Sequence, residues 1–144
     1  MDAVLPVLET KVRAVAKGWF NLAHRHCTDA SALDAVKHPR SVYSRAYYAA
    51  YSASKAVRYI VNGEVSLRGD DHKRIADLPD DFPNVAAWVS SLPRLYEHRL
   101  RADYDNWTNT LAENELSPDD CLLAAKNFIA EAQQYLDSKY GITL

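Results

Sequence analysis

Apolar residues recur along the chain at three- and four-residue steps, the spacing of one face of an α-helix. Leu5, Leu8, Val12, Val15, Trp19 and Leu22 follow this spacing first. Asp2 stands where an N-cap would accept from the opening backbone N–H groups. Gly18 falls inside the pattern, at a cost of about 1 kcal/mol relative to alanine. The stretch from Cys27 to His38 then reads as a connector closed by Pro39. A second segment, roughly Arg40 to Val61, puts Tyr43, Tyr47, Ala50, Ser54, Val57 and Val61 on one stripe. It is dense in small residues, Ala46, Ala49, Ala50, Ser52, Ala53, Ser54 and Ala56. Small side chains let neighbouring helices approach closely, so this segment is expected to be the central helix of a bundle. Asn62-Gly63 ends it, with glycine free to adopt the left-handed conformation.

After a loop to Gly69, Asp70 and Asp71 are placed to cap a short helix through His72, Lys73, Arg74 and Ile75. A longer one is predicted from about Asn84 to Ala102, with Trp88, Leu92 and Leu95 facing inward. Pro93 lies within it, so a kink or break is expected there. Ser117-Pro118-Asp119-Asp120 is a strong start signal: a serine N-cap, proline at the first helical position and acids in the first turn. Leu122, Ile129, Leu136 and Tyr140 mark the last helix and Gly141 stops it. The fold class is all-α, an up-and-down bundle of four or five helices forming one domain over residues 1–144.

Composition narrows the function more than the fold. With 144 residues, 48% hydrophobic and 25% charged, the chain can bury a core without disulfides or metals. Its two cysteines, Cys27 and Cys121, suit neither a zinc site nor a disulfide framework and are expected as reduced, buried thiols. No cofactor is implied. The first residues, Met1-Asp2-Ala3-Val4-Leu5-Pro6, are acidic and lack an apolar run, so no signal peptide is expected. No stretch is long and apolar enough for a membrane helix; the expected location is the cytoplasm. The net charge of −2 excludes a broadly basic nucleic-acid binder, since phosphate contacts supply most non-specific affinity. Any such binding must use a local patch.

The patch candidates lie in Leu95-Tyr96-Glu97-His98-Arg99-Leu100-Arg101-Ala102-Asp103-Tyr104-Asp105. Continuing the stripe of Trp88, Leu92 and Leu95 brings Arg99 to the inward face, where a charge must be paired. Asp103, four residues on, is the natural intrahelical partner. Arg94, His98 and Arg101 fall on a different face and make a basic strip that could contact phosphates or simply be solvated. His72 reads as a surface histidine. Tyr47, Tyr48 and Tyr51 read as core or interface aromatics.

Two of these segments together resemble the HEPN family. Ser44-Arg45-Ala46-Tyr47-Tyr48-Ala49-Ala50-Tyr51-Ser52-Ala53-Ser54-Lys55-Ala56 is similar to that family's central helix. The run from Leu95 to Asp105 is similar to its Leu-Arg-x-x-Ala-Asp-Tyr-Asp signature, and His72 sits where many relatives carry a histidine. The resemblance implies a bundle that commonly dimerises, with its polar motif near the dimer cleft, and often a minimal nucleotidyltransferase partner in toxin–antitoxin or defence systems. It implies Arg99, Tyr104 and His72 as candidate catalytic residues. Arg99, Arg101, Asp103, Arg94, His98 and Arg45 become candidates for binding nucleotide or RNA. In ribonuclease members an arginine is followed four to six residues later by a histidine that moves the ribose proton. Here Tyr104 follows Arg99, and a phenol is a poor general base at neutral pH. The expected function is therefore binding of nucleotide or RNA, or service to a nucleotidyltransferase, without the usual ribonuclease activity. The alternatives are a metal-independent endoribonuclease acting on tRNA or mRNA, with His72 supplying the imidazole, and a structural dimerisation module.

Overall fold

The computed structural model describes residues 4–63, 69–105 and 110–143. Four α-helices dominate these residues: α1 (Val4–Ser31), α2 (Pro39–Asn62), α3 (Val85–Tyr104) and α4 (Pro118–Tyr140). Short 3-10 turns, Gly69–Arg74 and Thr110–Glu113, flank α3. Among the described residues there is no β-strand.

Helix α2 is the centre of the bundle and packs against α1, α3 and α4. Its small residues explain this. Ala46, Ala49, Ala50, Ala53 and Ala56 are completely buried, so three neighbours can approach its backbone. The alanine-rich face of α2 is therefore packed within the chain. Gly63 closes α2 at φ +68°, its N–H bonded to Tyr59 O at 2.9 Å.

The inward stripe of α1 differs from the one expected. Val15 and Leu22 are exposed, while Ala16, Phe20, Ala23, Cys27 and Ala30 face the core. The same shift explains why the Cys27–His38 connector is shorter than expected: Cys27 and Ala30 extend the true stripe, and α1 runs on to Ser31. The remaining turn is held by Asp34 Oδ1, which accepts from Val36 N and Lys37 N. Asp2 and the side chains of Leu5 and Leu8 lie outside the described residues.

Pro93 causes no break, and α3 is one helix from Val85 to Tyr104. Val89, whose carbonyl the proline leaves without its usual donor, is on an exposed part of the helix, where water can take it. Helix α4 begins as the sequence predicts, with Ser117 Oγ accepting from Asp120 N at 3.1 Å and Pro118 at the first position. Gly141 ends it at φ +66°. Phe82, from the loop before α3, fills the far end of the core against Phe128 and Tyr135.

Candidate functional site

The inward stripe of α3 ends, as predicted, in a buried arginine. Arg99 is 6% exposed, and its Nε lies 2.8 Å from Asp103 Oδ2 one turn later. Its Nη2 donates to the Tyr48 hydroxyl at 2.5 Å and, more weakly, to the Tyr104 hydroxyl at 3.5 Å. The guanidinium also lies over the rings of Tyr47, Tyr48 and Tyr104 at 5.6, 5.0 and 5.3 Å. Burial works against its charge, but Tyr48, Asp103 and Tyr104 outweigh that and hold its pKa above the ordinary value. Arg99 is thus fixed, charged and anchored to both helices.

Beside this pair a groove of about 630 Å³ opens between α1, the first turns of α2 and the end of α3. Helix α2 lines it with Arg40, Ser41, Ser44, Arg45 and Tyr48, α1 with His26, and α3 with Ala102 and Asp103. Tyr48 and Asp103, which grip Arg99, form part of its wall. Ser44 Oγ donates to Asp103 Oδ2 at 3.3 Å. The groove lies at the N-terminal end of α2, where His38 provides no side-chain cap. The helix dipole and unpaired N–H groups therefore favour an anion there.

The arginines of the groove differ in what they do. Arg40 Nη1 donates to Arg101 O, Ala102 O and Asp105 O at 3.2, 2.9 and 2.6 Å, tying off the carbonyl end of α3. Arg45 is exposed, and Nδ1 of His26, 3.1 Å from its Nη1, is its hydrogen-bond partner among the described residues. An arginine only donates, so His26 Nδ1 accepts and the ring proton sits on Nε2. Burial, and then Arg45, hold the His26 pKa below its ordinary value, so the ring is a neutral donor at pH 7. Among the described residues, neither Arg40 nor Arg45 has a carboxylate partner.

The basic strip of Arg94, His98 and Arg101 lies beside the segment before α4: Arg94, itself exposed, pairs with Glu115 at 3.2 Å, and Arg101 donates to Asn114 Oδ1 at 2.9 Å. His98 is 2% exposed and its Nε2 accepts from Leu116 N at 3.2 Å. Its Nδ1 has no partner among the described residues. Burial, followed by Arg101, lowers its pKa. All three side chains thus contact residues 114–116.

His72 is not a plain surface residue either. It is half-buried, shares a 2.7 Å hydrogen bond with the Tyr47 hydroxyl, and packs among Tyr47, Tyr48, Tyr51 and Tyr96. Burial, then Arg99, lowers its pKa. It and Arg99 both contact Tyr47 and Tyr48. The two similar segments and His72 therefore meet at one place.

His26, Arg40, Ser41 and Ser44 line the groove and are not among the residues the sequence singles out; His26 lies beyond Leu22, where the expected α1 stripe stops. A stripe drawn through Ala23, Cys27 and Ala30 would have put His26 next to the α2 face. The sequence likewise does not single out the buried pair under the 3-10 turn. Asp71, expected as a cap, is 1% exposed and accepts from Arg58 at 2.8 and 3.2 Å and from Tyr51 at 2.5 Å. The side chain of Asp70 lies outside the described residues. Both cysteines are free and buried, with the Cys121 thiol pushed up to about 12 by burial.

Among the described residues no group of three or more His, Cys, Asp or Glu side chains could hold a metal ion. No helix among them is long and apolar enough to cross a membrane. Compared with known protein families, with curated proteins and with solved structures, the chain has no match.

Proposed function

We propose that this chain is a HEPN-like domain of a cytoplasmic toxin–antitoxin or defence system, working by binding rather than by the usual ribonuclease chemistry. The groove at the start of α2 holds the phosphate of a nucleotide or RNA, and a nucleotidyltransferase partner acts on or covers the same face. The observation that carries this reading is Arg45, an exposed guanidinium without a carboxylate partner among the described residues, beside the anchored Arg99 and the positive end of α2. Arg99 is set behind Tyr48 and Asp103, so it lends fixed charge more than direct contact. Co-purification with a nucleotidyltransferase encoded beside it tests the partner half: a stable complex is expected. A chain that binds neither that enzyme nor any nucleotide contradicts the proposal.

One observation favours the endoribonuclease alternative. His26 brings an imidazole into the groove on a different helix from Arg99, in place of the histidine the Arg99–Tyr104 spacing lacks. With Nδ1 engaged by Arg45 and Nε2 protonated, the ring has no free lone pair, so it must give up the Arg45 bond before it can take a proton. Incubation of folded RNA with the protein in chelator separates the two: the binding reading predicts no cleavage. Cleavage abolished by His26→Ala would replace it with the alternative.

A further inference from the structure

Next to the groove stands an aromatic ring that the core does not use. Tyr104, the last residue of α3, is 70% exposed, whereas Tyr47 and Tyr51 are buried. The Arg99 guanidinium lies 5.3 Å from the Tyr104 ring centre. Arg99 is itself clamped by Tyr48 and Asp103, so the tyrosine rests on a fixed cation. Its neighbour Asp103 lines the groove.

From this geometry we infer that Tyr104 is a stacking platform for an unpaired nucleobase whose phosphate lies in the groove at Arg45 and Ser44. The inference rests on reading the groove as a phosphate site and adds what recognises the rest of the ligand. Every base has a π-face, so stacking on an exposed tyrosine is tolerant of sequence and strengthens binding by about 5- to 150-fold per base. Arg99 behind the ring keeps it oriented and adds a cation–π contact. A base paired in a duplex keeps its faces stacked and cannot reach the platform. Duplex binding would also need a wide basic face, which a net charge of −2 does not favour. The ligand is thus a mononucleotide or the free base and phosphate of single-stranded RNA.

The test is competition against a fluorescein-labelled single-stranded hexa-adenylate, using AMP, ribose 5-phosphate and a blunt RNA duplex. Wild type should bind AMP about 5- to 150-fold more tightly than ribose 5-phosphate, and the duplex least of all. In Tyr104→Ala that advantage should vanish while ribose 5-phosphate binding stays. Tyr104→Phe and Tyr104→Trp should keep it, because the ring and not the hydroxyl is used. An AMP advantage unchanged in Tyr104→Ala overturns the stacking inference while leaving the phosphate site intact. If wild type binds none of these probes, the phosphate reading itself falls. Tyr104 is exposed, so these variants should fold, which circular dichroism checks. AMP competing as well as the hexamer would identify a mononucleotide as the source of the base; a large excess of affinity for the hexamer would identify RNA. Both outcomes support the platform.

Discussion

Among the described residues two arginines are buried and serve different ends. Arg58, 2% exposed, exists to be paired: with Asp71 it pins the 3-10 turn onto α2, and Tyr51 completes the pair. Burial pushes the Asp71 carboxyl up, but the hydrogen bonds from Arg58 and Tyr51 outweigh it and hold its pKa below the ordinary value. Removing one partner strands the other charge in the core, so Asp71→Ala should destabilise the fold by about 3–5 kcal/mol in urea unfolding. Arg99 is anchored by one aspartate and two tyrosines but stands against a groove. Arg45, exposed and bound among the described residues to an imidazole, is the opposite case. Arg45→Ala should alter stability by less than about 0.5 kcal/mol and yet remove most of the phosphate affinity. A variant that loses stability and binding together would show Arg45 to be a structural residue.

At the scale of elements, the helices were legible wherever large apolar side chains and end signals agreed. Ser117-Pro118 and Gly141 bracket α4 as the sequence predicts, and Trp88, Leu92, Leu95 and Arg99 give the correct face of α3. Helix α1 hides its core face from such a pattern because that face is made largely of alanines. A search for large hydrophobics finds Val15 and Leu22, whereas close packing on the alanines of α2 requires Ala16, Ala23 and Ala30. The corrected face is testable: Phe20→Ala should cost about 3–5 kcal/mol, against less than about 0.5 kcal/mol for Leu22→Ala. Half of the candidate site was legible for the same reason. Arg99, Asp103 and Tyr104 share one helix and one spacing, but Arg40 meets them only through packing between helices, and His26 only once the α1 stripe is drawn through its alanines. Arg40 also closes the carbonyl end of α3. Arg40→Ala should therefore lower stability by about 1–2 kcal/mol, visible as a reduced melting temperature.

For the whole molecule, charge and protonation set the conditions of function. The net charge of −2 argues against a broadly basic face, and a groove lined by Arg40 and Arg45 suits a small or single-stranded ligand. Three histidines, His26, His72 and His98, have pKa values lowered chiefly by burial. The unfolded chain therefore takes up their protons first as pH falls. Their contribution to stability should be fully present above about pH 6.5, the unfolded value, and lost progressively on acidification below it. His98→Gln should flatten that part of a stability-against-pH curve, since protonation would otherwise break its bond from Leu116 N. The central claim is that the start of α2 binds phosphate through Arg45 beside an anchored Arg99. Its most direct test is an anisotropy titration of labelled single-stranded hexa-adenylate against wild type and Arg45→Ala at low and moderate salt. The expected result is wild-type binding that weakens as salt rises, and at least a tenfold loss in the variant, which should melt like wild type. Equal affinity in the two proteins would contradict the claim.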